Sequence, residues 1–284
     1  MSAPGAGVER LVDLHVHSTA SDGRLAPAAV VGAARAAGLA AMALTDHDTV
    51  AGVAEARAAG ERLGVRIVAG AELSAHLFGE EIHLLALHLD RVDVIAHELA
   101  RFQDDRVTRA GQMVERLNAL GVGVTLDAVL AHAAGGAVGR PHVARAIVAT
   151  GAAHDMRDAF DRYLGDGRPA YVDKPRLEAR EAIALAHAAG GIAVWAHPGG
   201  DGRRDRVEPL VAAGLDGLEV LHPSHSSDDR QRLQALADFF GLVTSGGSDW
   251  HGVTEAPRGL GMMQVPHAVL ERQDARVLAR RAPG

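Results

Sequence analysis

Short apolar runs alternate with helical segments up to about residue 91 and again from about residue 171, and nearly every run ends in histidine or a carboxylate. The first run (Leu11, Val12, Leu14 and Val16 are apolar) carries His15 and His17, and Asp22-Gly23 follows in a turn. In an extended strand the i, i+2 spacing puts both imidazoles on one face. Leu39–Leu44 runs into His47, Arg66–Ala69 into Glu72, and Glu81–Leu87 contains His83. Ile192–Trp195 leads to His197, Gly217–Leu221 to His222 and His225, and Leu242–Thr244 to Asp249 and His251. Helices are expected between them over Pro27–Ala37, Val50–Leu63, Ala179–Ala189 and Ser227–Phe240, stopped mostly by glycine. This rhythm implies βαβ units and a parallel sheet of seven strands.

The rhythm breaks near Val92. One long amphipathic helix to about Leu120 and shorter ones over Asp127–Ala134, His142–Thr150 and Met156–Leu164 predict an all-helical insertion after strand four. The expected organisation is a discontinuous barrel of residues 9–91 and 171–265, a helical insertion of residues 92–170 and a peripheral tail of residues 266–284.

In parallel α/β barrels functional side chains gather at the carboxyl ends of the strands. His15, His17, Asp22, His47, Glu72, His83, His197, Asp249 and His251 are therefore read as metal ligands. The mixed nitrogen and oxygen set suits Mn²⁺, Fe²⁺ or Zn²⁺ rather than a thiolate zinc site or an all-oxygen calcium site. The chain has no cysteine, which removes disulfides and Cys nucleophiles as well. So many ligands suit three ions with one shared carboxylate. Such a cluster stays positive and attracts phosphate within a chain whose formal net charge is −7. That acidity argues against an extended duplex-binding surface, and aromatics at 3% argue against base-stacking platforms. No signal peptide or apolar span is legible, so a cytoplasmic protein is expected.

The stretches DLHVHSTASDG, TDHDTV, AGAELS, WAHPGG and GSDWHG resemble, in order, the motifs of the PHP (polymerase and histidinol phosphatase) superfamily. The resemblance spans essentially the whole chain. It implies a distorted seven-stranded (β/α) TIM-like barrel with a trinuclear metal centre. One ion would take His15, His17, Glu72 and Asp249; a second Glu72, His83 and His197, with Glu72 bridging; the third Asp22, His47 and His251. Asp22 stands where some relatives have histidine. GRPHVARA (Gly139–Ala146) and FDRYLGDGRPAYV (Phe160–Val172) resemble nucleoside 3′,5′-bisphosphate phosphatases and short-RNA 5′→3′ exonucleases.

The expected activity is therefore hydrolysis of a nucleotide phosphomonoester, or attack at the 5′ end of a short oligonucleotide, by a hydroxide bridging two ions. The alternatives are a histidinol-phosphate-type phosphatase, another amidohydrolase-like hydrolase, or a non-enzymatic PHP module. Around the centre, Asp48 either orients a ligand, acts as a base or caps the next helix. His222 and His225 either contact substrate and protonate a leaving alcohol or form a polar turn. Arg140 and His142, at a helix start, read as a phosphate clamp or as a solvated first turn. Arg168 and Lys174 read as contacts to a second phosphate or as surface residues.

Overall fold

The computed structural model describes residues 10–133, 138–173, 177–252 and 259–282. The chain opens as β1 (Leu11–Val16), α1 (Pro27–Ala36), β2 (Ala41–Leu44), α2 (Val53–Leu63) and β3 (Arg66–Leu77). Pro27 sits in the first turn of α1, and Gly64 ends α2 at φ 70°. The three strands are parallel, with Val12 opposite Ala41 and Ala41 opposite Arg66. Alternate residues serve different layers. Ala41 and Ala43 join one buried cluster with Val12, Leu14, Val68 and Leu85, while Met42 and Leu44 join another with Val30, Val31 and Ala56 of the helices.

The wholly parallel sheet is corrected at β3. This strand does not stop at Ala69 but continues to Leu77, turns at Phe78 and Gly79, and returns as β4 (Glu80–Leu87), antiparallel. Both turn residues have positive φ, 54° and 84°, the conformation whose twist matches a two-residue hairpin. The hairpin places Glu72 opposite Leu85 and Ser74 opposite His83.

There follow α3 (Val92–Ala119), α4 (Leu126–Ala133), α5 (Arg140–Ala149), α6 (Met156–Ala159) with a π-helical turn over Phe160–Leu164, and α7 (Ala179–Ala188). Then come β5 (Ile192–Trp195), α8 (Arg204–Ala212), β6 (Gly217–Leu221), α9 (Ser227–Phe240), β7 (Val243–Gly246), β8 (Val265–Pro266) and α10 (His267–Arg281). The sheet order is β7-β6-β5-β4-β3-β2-β1-β8, so the described strands number eight rather than seven. The additional one, β8, is a two-residue antiparallel partner of Leu11 and Val12. Beyond β7 the chain returns to the other end of β1. Asp249 N–H donates to His15 O at 2.9 Å, and His17 N–H donates to Trp250 O at 2.9 Å. Gly247 permits this return, because a Cβ there would stand 2.4 Å from the Cβ of His15. The result is a nearly closed α/β barrel.

The tail expectation also fails. α10 buries Val269, Leu270 and Val277 in the cluster that holds Val12, Leu87 and Ile192, and Asp274 takes both terminal nitrogens of Arg66 at 2.5 and 2.7 Å. α8, with Pro209 inside it, was not foreseen either.

The chain divides into two compact units, residues 1–96 with 177–284, and residues 97–176. The second has its own core, in which Leu117, Val129, Val143, Ile147 and Leu164 are buried together. Within it Arg109 Nε–H donates to Val172 O at 2.8 Å, and Arg116 reaches Tyr171 O.

Candidate metal centre

Glu72 is the middle of the site. It lies within β3, is 1% exposed, and presents both oxygens to imidazoles. Oε1 is 2.8 Å from His83 Nδ1 and 2.9 Å from His197 Nε2. Oε2 is 3.1 Å from His15 Nε2, 3.2 Å from His17 Nε2 and 3.3 Å from His47 Nδ1. β1, the segments after β2 and β5, and β4 deliver these rings to one point.

Three sets of donor atoms surround it. His15 Nε2 and His17 Nε2 lie 3.6 and 3.2 Å from Asp249 Oδ1, and with Glu72 they form a group whose ligand atoms fall within 4.8 Å of one another. His83 Nδ1 and His197 Nε2 are 3.3 Å apart over Glu72 Oε1. Asp22 Oδ1 is 3.3 Å from His251 Nε2, and Oδ2 is 3.9 Å from His47 Nε2; His17 joins this group. All nine residues singled out in the sequence are thus brought together. The chemistry of the set fits divalent cations. Neither nitrogen of the fully buried His17 has an aligned hydrogen bond, although Nε2 is close to two carboxylates. Buried imidazole nitrogens are normally partnered, by hydrogen bonds or by metal.

The backbone is bent to build this arrangement. His197, Asp249 and Asp48 adopt positive φ of 30°, 51° and 50°. Such conformations cost about 1–3 kcal/mol each and collect at functional sites. Gly23 lets the first loop fold back over His17, where a Cβ would stand 2.8 Å from the His17 carbonyl. Asp46 fixes that loop by accepting from Ser18 N–H at 2.7 Å, Ser18 Oγ at 2.8 Å and Ser21 Oγ at 2.8 Å.

Charge balance is lopsided in the same way. Burial favours the neutral form of His83, but Glu72 and Glu81 outweigh it and raise its pKa to about 10. Burial also opposes ionisation of Asp22, yet His251, His47 and His17 hold its pKa down at about 2. Glu72 and Asp249 are held well below the usual carboxylate range by the surrounding histidines, against their burial. His47 moves the other way, toward the neutral form, chiefly through burial. The shifts around Glu72 thus favour ionised carboxylates beside a protonated His83.

The remaining candidates have different surroundings. Asp48 accepts from Ser74 N–H at 2.8 Å and Ser74 Oγ–H at 2.9 Å, and so braces β3 beside Glu72. His222 is buried after β6, and its Nε2 lies 3.5 Å from Asp249 Oδ2. Its Nδ1 accepts from Ser224 N–H at 3.2 Å, which leaves the proton on Nε2 in the neutral ring. The substrate role expected of His225 is corrected. Its Nδ1–H donates to Val220 O at 2.9 Å and its Nε2 accepts from Gly199 N–H at 3.1 Å, so both nitrogens are used by the backbone. His142 caps its own helix, its Nδ1 accepting from Gly139 N–H at 3.0 Å. Arg140 pairs with Asp166 at 2.7 Å and lies over the Tyr171 ring, 5.3 Å from its centroid. Arg168 is exposed, and Lys174 lies outside the described residues.

Sequence reasoning missed Glu219. It sits in β6 with 0% exposure, its Oε1 3.1 Å from His15 Nδ1 and its Oε2 accepting from His197 N–H at 2.7 Å. The available signal was a single acid inside the apolar run Gly-Leu-Glu-Val-Leu.

The PHP domain family matches residues 13–165. The chain is 38% identical over 257 residues to a 3′,5′-nucleoside bisphosphate phosphatase of Chromobacterium violaceum, covering 88% of this chain and 90% of that one. It is 38% identical over 245 residues to a 5′-3′ exoribonuclease of Haemophilus influenzae, covering 84% and 89%. A crystal structure of a candidate metal-dependent phosphoesterase from Bifidobacterium adolescentis superposes with a TM-score of 0.75 at 34% identity, over 96% of this chain and 97% of that one. The chain belongs to the PHP family and is a metal-dependent phosphate-ester hydrolase.

Proposed function

We propose that the protein removes the 3′-phosphate of nucleoside 3′,5′-bisphosphates and acts secondarily at the 5′ ends of short oligonucleotides. The observation that carries the reading is Glu72, one buried carboxylate shared by five imidazoles, in a chain alike over nearly its whole length to a bisphosphate phosphatase. The exoribonuclease likeness supports the second substrate class.

In this proposal divalent ions, Mn²⁺, Fe²⁺ or Zn²⁺, three in number, would be held by the three donor sets described, to two of which Glu72 would contribute. Bound there, such ions polarise phosphoryl oxygens and ionise water near neutral pH. The chain's own part is to place and exclude. Glu72 and Asp249, ionised and encircled by imidazoles, hold the cations in register. His222, with Nε2 beside Asp249, is placed to donate a hydrogen bond to the departing 3′-oxygen, while the proton that completes the alcohol is supplied by water. Asp48 acts through Ser74, by holding β3.

The phosphate that is not cleaved is assigned to Arg140, with exposed Arg168 as a second contact. Support comes from within the helical unit. Arg109 there is buried, and its pKa is lowered chiefly by burial and also by the charges of Arg140 and Arg106, against Tyr171 and Asp173, so Arg140 stands near further positive charge. An anion relieves such crowding. Among described residues no helix is long and apolar enough to cross a membrane.

Phosphate release from 3′,5′-bisphosphates, mononucleotides, 5′-phosphorylated oligoribonucleotides and histidinol phosphate, with Mn²⁺ added, tests the reading. The expected result is a kcat/KM for a 3′,5′-bisphosphate at least about tenfold above that for the mononucleotide, equivalent to about 1.4 kcal/mol. Equal rates across the panel, or a preference for histidinol phosphate, would reject it.

A further inference from the structure

We propose that Glu219 is a positioning residue that selects the coordinating nitrogen of His15 and fixes the backbone pose of His197, so that one carboxylate aligns ligands of two neighbouring ions. The inference rests on the metal assignment above and deepens it.

Glu219 lies between Leu218 and Val220 with no solvent exposure. A carboxylate in such a place is costly unless its oxygens are bound. Each oxygen has one partner from a different strand end: Nδ1 of His15 from β1 and the backbone N–H of His197 after β5.

The first contact decides a tautomer. Glu219 Oε2 accepts from the His197 N–H at 2.7 Å while Oε1 faces His15 Nδ1 at 3.1 Å, and a carboxylate oxygen so placed accepts a hydrogen bond. The proton of neutral His15 must then sit on Nδ1, and the lone pair falls on Nε2. That nitrogen points at Glu72 Oε2, 3.1 Å away, and Asp249 Oδ1, 3.6 Å away, where the cation is placed. His17, two residues on, has no equivalent partner: its Nδ1 stands 3.7 Å from the half-exposed Asp22. Carboxylates behind metal-binding histidines fix ring orientation in this way.

The second contact decides a backbone conformation. His197 has φ of 30°, a region L-residues other than glycine rarely adopt. A charge-assisted hydrogen bond at 2.7 Å holds its N–H, and its Nε2 reaches Glu72 Oε1 at 2.9 Å. Without Glu219 the peptide is free to relax and carry the ring away from Glu72.

Glu219→Gln keeps the shape but supplies an NH₂ in place of one oxygen. That group either faces His15 Nδ1 and drives the proton to Nε2, or faces the N–H of His197 and breaks that bond. The test uses the full chain loaded with Zn²⁺ and histidine-selective ¹⁵N NMR, with the His15 signals assigned through His15→Gln. In the wild type the expected spectrum shows His15 protonated at Nδ1 and zinc-bound at Nε2. Glu219→Gln should weaken zinc binding in chelator competition by roughly 10–100-fold while its melting temperature stays within about 3 °C of the wild type. Wild-type His15 binding zinc through Nδ1, or unchanged zinc affinity in a folded Glu219→Gln protein, would overturn the proposal while leaving the metal assignment standing. Failure of the wild-type chain to bind zinc would overturn both. Should the variant not fold, the wild-type tautomer alone decides.

Discussion

At Glu72 two oxygens face five imidazole nitrogens, all within 3.3 Å, and this crowding has a consequence in pH. His83, at a pKa of about 10, keeps its proton in the metal-free protein throughout the neutral range. A cation must displace that proton, so metal affinity is expected to rise with pH up to about 10 and to fall on acidification. Asp22, at about 2, is already ionised and releases nothing. Loading Zn²⁺ at about pH 8 in a weakly buffered, dye-monitored solution should therefore release protons. Loading without proton release would contradict the arrangement around His83. The nine residues that cluster around Glu72 could be singled out because each stands at or near the end of an apolar run, where a polar residue has little structural reason to be. Glu219 could not be, because one acid within a five-residue strand is indistinguishable in sequence from a residue on a solvated face. The roles of His225 and His142 depend on which backbone groups happen to lie opposite, and residue type does not reveal that.

Among the elements, the alternation of β1, α1, β2, α2 and β3 was readable from glycine stops and apolar runs, whereas the β3-β4 hairpin was not. Its turn depends on Phe78 taking a positive φ, which no propensity for phenylalanine announces. α10 escaped notice because its charged residues mask a thin buried stripe, Val269, Leu270, Gln273 and Val277. That stripe makes a direct prediction. Leu270, fully buried, should cost about 2–5 kcal/mol of unfolding free energy when replaced by alanine. Leu278, on the same helix but 68% exposed, should cost less than about 0.5 kcal/mol. Urea denaturation of the two variants checks this, and equal small losses would mean that α10 is peripheral. Gly247→Ala should also destabilise, by about 1–3 kcal/mol or more, since its methyl group meets the backbone and Cβ of His15 where the sheet closes. A wild-type denaturation midpoint would show that the closure there has slack.

For the whole molecule, a formal charge of −7 coexists with a site built to attract phosphate, so the positive charge has to be local. The compact helical unit spans 97–176, and the sequence rhythm breaks near Val92, where an insertion of residues 92–170 is expected. How Arg140 is held was not legible, because Asp166 and Tyr171 are distant in sequence. If Arg140 takes the uncleaved phosphate, Arg140→Ala should cost about 2–4 kcal/mol in kcat/KM for a 3′,5′-bisphosphate. The loss should be small for an aryl phosphate, and metal content should not change. Equal losses on both substrates would assign Arg140 to the fold of the helical unit instead.

The central claim is that Glu72 holds together a metal cluster on which phosphate-ester hydrolysis depends. It is tested most directly by measuring bound divalent metal and phosphate release side by side in the wild type and in Glu72→Gln, which keeps the shape of the side chain and removes its charge. The account predicts loss of bound metal together with a fall in kcat of at least about 10²-fold, as for loss of a charged group that stabilises the transition state. Full metal content with near-normal turnover in Glu72→Gln would contradict it.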